Sequence, residues 1–279
     1  MIVEDTMTDC WHRIAEALLY VRKEEATIAS GGYTNLYHNV LVARSMELDF
    51  DMGRDSWFTP SRWTKLQRDY LIVEEVVPFV ERCAEVALRK GRTGMNTQMF
   101  FKAKERAPGN HVWGNCLMAM TWSGGRWAAP TVTLHSRVSF VPYLGGLDLA
   151  LALVLTRQIA DASDLNVEDI ALRWYLDSAS WTALKSVPYV MAFGHYDNVM
   201  NEKRYPDRVY PAIQGTRTFI KRFQEYPPEH FKFGQTNRMS KRWQLIQSGE
   251  PFPSVHSDDL TLLPEMLGQE PTRKRRVRT

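Results

Sequence analysis

The stretch from Leu147 to Ala160 constrains the fold most, because ten of its fourteen side chains are apolar. A helix that is hydrophobic on every face must be buried on most sides, so we expect this segment to form a central core helix. Its longest apolar run ends at Leu155 and contains Asp148, so it is too short to cross a bilayer. With 279 residues, the chain is long enough to surround such a helix with a packed domain.

Hydrophobic periodicity predicts the elements that surround this helix. Helical spacing covers 8–25 and 61–90, where Pro78 either kinks the second helix or starts a new segment. Strand-like runs cover 33–43, 95–102, 112–122, 127–139 and 170–175, and Ser123-Gly124-Gly125 is typical of a hairpin turn. These elements predict an α+β fold with a helical N-terminal layer, a largely antiparallel sheet and a buried central helix.

Charge and composition divide the chain into one domain and a tail. We expect a single domain over 1–265, in which 190–265 form a peripheral extension rich in Pro, Tyr, Arg and Asn. Residues 266–279 are expected to be a basic, disordered tail. Residues 273–279 carry five positive charges, whereas the net charge of the whole chain is only +3. The alternative function for this tail is contact with nucleic acid or another anionic surface.

The remaining sequence features exclude several classes of protein. The acidic N-terminus lacks the basic region of a secretory signal, and three cysteines are too few for a disulfide framework. We therefore expect a cytoplasmic protein with free cysteines. Phosphate-loop, dinucleotide-binding and Gly-x-Ser-x-Gly motifs are absent, and the histidine spacing predicts no metal site.

The residues that carry chemistry lie between Cys116 and Trp181. A cysteine on one strand of a hairpin and Arg137 on the next can lie side by side. A nearby guanidinium favours the thiolate, which is the nucleophilic form of cysteine. Arginine is also the preferred ligand of a phosphate group, because its planar fork of donors matches the phosphate oxygens.

This segment resembles the thymidylate synthase superfamily over roughly residues 95–185. In that family a catalytic cysteine is followed by a hairpin, a phosphate-binding Arg, a Leu-Gly turn and an Asn that opens a hydrophobic helix. Cys116, Arg137, Leu144-Gly145 and Asp148 stand in this order, and Arg137 precedes Asp148 by 11 residues, which is the family's Arg-to-Asn spacing. Asp in place of Asn resembles the deoxycytidylate hydroxymethylase branch, which phage DNA-modification pathways use.

The resemblance implies a thymidylate synthase-like fold and a homodimeric pyrimidine-nucleotide C5 transferase that acts on dCMP or CMP. Cys116 would attack C6 of the base, and 5,10-methylenetetrahydrofolate would provide the one-carbon unit as co-substrate. Asp148 would accept a hydrogen bond from the exocyclic amine of cytosine, as acidic side chains do elsewhere. For a viral protein, the expected location is the host cytoplasm.

The resemblance also implies roles for residues outside this core motif. Arg137, Ser136, Ser139 and Trp181 are the expected substrate contacts, and Arg92 is placed like the family's arginines that reach the partner subunit's phosphate. The upstream catalytic carboxylate is Glu75 by preference, with Lys65 ten residues before it at the cofactor. Asp69 and Glu16 are the alternatives for that carboxylate.

Three positions depart from the family pattern: Val138 replaces a Ser, Phe140 a folate-contacting Asp, and Ala179 a sugar-contacting His. Phe140 therefore counts against folate. Two other functions stay open, namely a uracil-acting methylase or hydroxymethylase and a non-catalytic nucleotide- or DNA-binding protein. The residues also have purely structural interpretations: Cys116 as a small buried hydrophobe, Asp148 as a helix cap and Arg137 as a surface ion pair.

Overall fold

The computed structural model describes residues 1–25, 27–29, 33–88, 97–102, 116–125 and 128–269. They form an α+β fold, as predicted, with helices packed on one mixed sheet. The strands are β1 (Ile2–Thr6), β2 (Thr27–Ala29), β3 (Tyr33–Ser45), β4 (Thr97–Phe100), β5 (Leu117–Gly125), β6 (Ala128–Phe140) and β7 (Ala171–Thr182). The α-helices are α1 (Met7–Leu19), α2 (Met52–Ser56), α3 (Pro60–Tyr70), α4 (Val73–Leu88), α5 (Gly146–Ser163), α6 (Val187–Ala192), α7 (Tyr196–Met200), α8 (Pro211–Glu225) and α9 (Gln235–Gln247).

The sheet has the strand order β1-β3-β7-β6-β5-β4, and β2 pairs with the first residues of β3, 33–35. Within the described residues, β1–β3 and β6–β7 are parallel pairs, whereas the other four pairings are antiparallel. The sheet is therefore mixed. The β5–β6 hairpin predicted around Ser123-Gly124-Gly125 is confirmed, with Met120 opposite Leu134. Helix α5 returns the chain from β6 to β7, and this crossover connection is what makes that pair parallel.

Helix α5 is the buried central helix that the sequence predicted. Every residue from Gly146 to Thr156 is buried, and α5 packs against α4. The segment Val141–Ser163 is long and apolar enough to span a membrane, but 83% of its most apolar window is buried inside the protein. Such burial is typical of the core helix of a soluble protein.

The start of α5 is fixed by close contacts to aromatic side chains. A π-helical turn, Val141–Gly145, leads into it, and Trp11 of α1 donates its indole N–H to the Val141 carbonyl over 2.8 Å. A Cβ added to Gly145 would lie 3.2 Å from the Trp11 ring, and one added to Gly146 only 2.4 Å from the Phe50 ring. The two glycines therefore let α5 approach aromatic side chains to a distance that a Cβ would not allow.

The predicted helix 61–90 is two helices, and the break lies elsewhere than expected. Helix α3 ends where Leu71 adopts an extended conformation, whereas Pro78 lies inside α4. Helix α1 begins at Met7 with Thr6 as its N-cap instead of Thr8, because the Thr6 hydroxyl accepts from the Asp9 N–H. The break after Tyr70 turns the end of α3 toward the sheet.

The region 190–265, predicted as a peripheral extension, packs against β7, Trp57 and α3. Thr216 of α8 accepts a hydrogen bond from Trp181 of β7, and Trp243 of α9 packs edge-on against Trp57. The Thr261 carbonyl accepts hydrogen bonds from both Trp63 and Gln67 of α3. This region thus covers α3. Of the predicted tail 266–279, the structure describes only residues 266–269. Residues 270–279 lie outside the described residues, and so does the predicted site residue Arg92.

We predict that Gly146→Ala destabilises the protein by roughly 1–3 kcal/mol, because the new methyl group overlaps the Phe50 ring in a packed core. Urea unfolding at neutral pH measures the change. The control is Asp161→Ala, an exposed position on the same helix, for which we expect a change within about 0.5 kcal/mol. Equal stability of Gly146→Ala and wild type would contradict this close contact.

Candidate functional site

The hairpin brings Cys116 and Arg137 side by side. Cys116 directly precedes β5, and its carbonyl accepts a hydrogen bond from the Arg137 N–H of β6 over 2.9 Å. The Cys116 side chain is half-buried, while the Arg137 side chain is exposed. Burial raises the pKa of the Cys116 thiol, and the charge of the Arg137 guanidinium opposes that shift.

Asp148 lies in the first turn of α5 with none of its surface exposed. Its Oδ2 accepts a hydrogen bond of 3.0 Å from the Ser139 hydroxyl, whereas Oδ1 is buried without a hydrogen-bond partner among the described residues. It makes no capping bond to the start of α5. Burial raises the pKa of Asp148 to about 7, and the Ser139 hydrogen bond opposes the shift only in part. A buried oxygen without a partner is costly, so this atom is suited to bind a ligand or a proton.

Tyr70, the last residue of α3, completes the contact between α3 and the hairpin. Its hydroxyl accepts from the Cys116 N–H over 3.4 Å and also hydrogen-bonds the Cys116 thiol. Burial raises the pKa of the Tyr70 phenol, and the neighbouring charges of Asp148 and Cys116 raise it further. Sequence reasoning missed Tyr70, because 46 residues separate it from Cys116 and no motif includes it.

The Cys116 sulfur is a thiol at neutral pH. Burial raises its pKa to about 11, and the nearby charge of Asp148 adds to this shift. The Tyr70 hydrogen bond, Arg137 and Lys185 all lower the pKa, but burial outweighs them. The sequence predicted a thiolate because of the neighbouring guanidinium. Formation of that thiolate requires a further change in the surroundings of the sulfur, such as neutralisation of Asp148 or the entry of a ligand.

Lys185 is a second residue that the sequence did not reveal. It follows β7, and its Nζ lies 4.8 Å from the centre of the Phe140 ring and 5.2 Å from that of Tyr143. Burial and the charge of Arg62 lower its pKa, while Cys116 raises it. The ammonium therefore lies over the ring of Phe140, at the position where the family resemblance expects an Asp, and its charge acts on the Cys116 sulfur.

Several predicted site residues lie apart from this cluster. The Ser136 hydroxyl accepts from the Trp174 indole over 2.8 Å, and Trp181 is fully buried with its indole N–H bonded to Thr216. Glu75 lies half-buried in the first turn of α4. The structure thus brings together Cys116, Arg137, Asp148 and Ser139, and it places Ser136 and Trp181 within the core. Roles for Glu75 and Arg92 stay predictions.

The other two candidate carboxylates have local partners. Asp69 forms an ion pair of 2.8 Å with Lys65 one turn earlier on α3. Glu16 of α1 lies 3.7 Å from the His195 ring, in a polar cluster between α1 and α7. No group of three potential metal ligands occurs in the part of the chain that the structure describes.

A cavity of about 260 Å³ lies between α3 and α9, and its lining does not include Cys116, Arg137 or Asp148. It is lined by Phe58, Thr59, Ser61, Arg62, Lys65, Tyr143, Gln235, Arg238, Met239 and Arg242. Lys65, predicted at the cofactor, lines this cavity. Arg62 links it to the cluster, because its charge acts on both Asp148 and Lys185.

Neither the protein-family models nor the curated proteins with which the sequence was compared gave a match.

We predict that Cys116 is the first cysteine to be alkylated, because Cys10 and Cys83 are fully buried and burial raises the pKa of each to about 12. Asp148→Asn removes a negative charge and should lower the Cys116 pKa, so that alkylation at pH 9 becomes roughly three to ten times faster. Arg137→Gln should slow it. Iodoacetamide labelling followed by peptide mass spectrometry measures these rates. Unchanged rates in both variants would show that neither charge acts on the sulfur.

We predict that Asp148 makes the protein less stable as the pH rises from about 4 to 7. An unfolded Asp loses its proton near pH 3.9, but the folded one keeps it up to about pH 7, so the folded state binds more protons in this range. Asp148→Asn should therefore gain stability relative to wild type with rising pH, by up to about 4 kcal/mol above pH 7. Urea unfolding from pH 4 to 8 measures the difference.

The control for this titration is Asp161→Asn, an exposed position on the same helix. A difference in unfolding free energy between Asp148→Asn and wild type that is the same at every pH would reflect packing alone. The test is therefore whether this difference changes with pH. A difference that does not change would mean that the Asp148 carboxyl ionises normally in the folded protein.

Proposed function

We propose that the protein is a pyrimidine-nucleotide C5 transferase on a thymidylate synthase-like fold, with dCMP or CMP as substrate and Cys116 as nucleophile. The observation that carries this proposal is the buried Asp148 carboxyl, whose Oδ1 lacks a partner among the described residues beside the thiol. A hydrolytic or redox role for a cysteine does not require such a carboxyl. A base with an amine and a ring nitrogen offers this carboxyl a donor and an acceptor to bind.

The carboxyl of Asp148 suits the Watson–Crick edge of cytosine. When ionised, its free oxygen accepts a hydrogen bond from the exocyclic amine. When protonated, it donates to the N3 lone pair instead. Because its pKa is about 7, both forms are accessible at neutral pH. The Ser139 hydroxyl holds the other oxygen and so fixes the orientation of the group.

The sulfur then reacts at C6. A bond forms between Cys116 Sγ and C6 after loss of the thiol proton, and the electron pair of the C5–C6 double bond moves to C5. The nucleophilic C5 bonds to a one-carbon electrophile and releases its hydrogen as a proton, after which the sulfur leaves C6. Binding of cytosine to Asp148 neutralises or shields its charge, which favours the Cys116 thiolate.

The residues fit methylenetetrahydrofolate only in part. Phe140 stands where the family's folate-contacting Asp is expected, and the Lys185 ammonium lies over its ring. Lys65 remains the residue predicted at that co-substrate. The homodimer that would supply Arg92 from a partner subunit, and a cytoplasmic location, remain part of the proposal.

A non-catalytic nucleotide-binding protein is the second candidate. The raised pKa of Cys116 favours it, because a thiol is a poor nucleophile. This protein would use Asp148 to bind a base without turnover.

Tritium release from [5-³H]dCMP or [5-³H]CMP, with and without the folate, tests the proposal. We expect release by the wild type and a loss of at least about 10³-fold in Cys116→Ser, since the nucleophile is gone. Cys83→Ser, at a buried cysteine outside the site, is the matched control and should retain release.

Release that persists in Cys116→Ser would exclude this nucleophile. Binding of dCMP without release by the wild type would favour the non-catalytic protein. Asp148→Asn should shift the preference toward dUMP, and an unchanged preference would remove base recognition from Asp148.

A further inference from the structure

The cavity between α3 and α9 is strongly cationic. Two cations come from α3, Arg62 and Lys65, and two from α9, Arg238 and Arg242. Among the described residues, no Asp or Glu lines it. The carboxylate that pairs with Lys65 is Asp69, one turn along α3 and outside the lining.

The three guanidinium groups converge on one phenol. Tyr143 is half-buried in the wall of the cavity, and the charges of Arg62, Arg242 and Arg238 all act on its hydroxyl. They also act on one another, because burial and the charge of Arg238 lower the pKa of Arg242. Like charges held this close are unfavourable unless an anion lies between them.

Arg62 provides an independent sign of a ligand. Its Nε is buried without a hydrogen-bond partner among the described residues, while its guanidinium lies over the Phe58 ring at 5.3 Å. Buried donors of charged groups are nearly always satisfied in proteins, so an acceptor is expected here. The rings of Phe58 and Tyr143, 4.6 Å apart, form an aromatic wall beside it.

We propose that this cavity is a second anion site, separate from Arg137, that binds the phosphoryl group of a small ligand. Three arginine forks offer paired donors that match phosphoryl oxygens, and four cations balance a multiply charged anion better than a single carboxylate. The aromatic wall contacts the uncharged part of the ligand. This site does not depend on the reaction proposed at Cys116.

Isothermal titration with inorganic pyrophosphate at low salt tests the site. We expect binding by the wild type and about tenfold weaker binding by Arg238→Gln and by Arg242→Gln, which corresponds to 1.4 kcal/mol each. Lys241→Gln is the matched control, since it removes the same charge from an exposed position on α9 outside the cavity lining. It should bind within about twofold of wild type. Arg137→Gln should also retain binding.

Four results would overturn the proposal. The first two are no binding of pyrophosphate at millimolar concentration and equal weakening of binding by Lys241→Gln and Arg242→Gln. The other two are loss of binding in Arg137→Gln and binding of tri-γ-glutamate as tight as that of pyrophosphate. The last would assign the cavity to an oligocarboxylate. Thermal unfolding checks that each variant is folded. Arg238 is exposed, so Arg238→Gln decides the test if Arg242→Gln fails to fold.

Discussion

An ionisable carboxyl at the start of the central apolar helix is the constraint on which the site depends. Asp148 is fully buried at the start of α5, and among the described residues only the Ser139 hydroxyl is in hydrogen-bond contact with it. Such a group costs stability above its pKa, and carboxyls with strongly shifted pKa values are more frequent at binding and catalytic sites than elsewhere. A single turn, Val141–Gly145, connects β6 to α5. This short connection places Ser139 and Arg137 of β6 in the same region as Asp148 of α5, and Arg137 is the residue next to Cys116.

The second determinant of the site is the balance between burial and positive charge at the sulfur. Burial makes Cys116 a thiol, whereas Arg137, Lys185 and the Tyr70 hydroxyl each favour the thiolate. The negative charge of Asp148 opposes them. A ligand that neutralises Asp148 would therefore act on the sulfur through space, and recognition of the base and activation of the nucleophile would be one event.

The cationic cavity extends this arrangement toward α9. Arg62 contributes to both regions, since its charge acts on Asp148 and Lys185 while its side chain lines the cavity. The positive charge therefore continues from the sulfur to the C-terminal helices. The two proposed sites would place one anionic group near Arg137 and another between α3 and α9.

The sequence by itself determined the elements that depend on local pattern. The apolar run after Asp148 predicted the buried helix, and the glycines after Trp122 predicted the hairpin that places Arg137 beside Cys116. Periodicity and turn chemistry decide such features within ten to thirty residues. The parallel pairing of β6 with β7 and the break after Tyr70 were not visible there, because packing of α5 and α3 against the sheet decides them.

Only the tertiary structure decided which distant side chains meet. Tyr70 reaches Cys116 across 46 residues, and α9 brings Arg238 and Arg242 to Arg62 from a part of the chain with no recognisable motif. The state of the Cys116 thiol was also decided by the fold. A neighbouring arginine can be read from the sequence, but the desolvation that outweighs it arises only when the core closes around the sulfur.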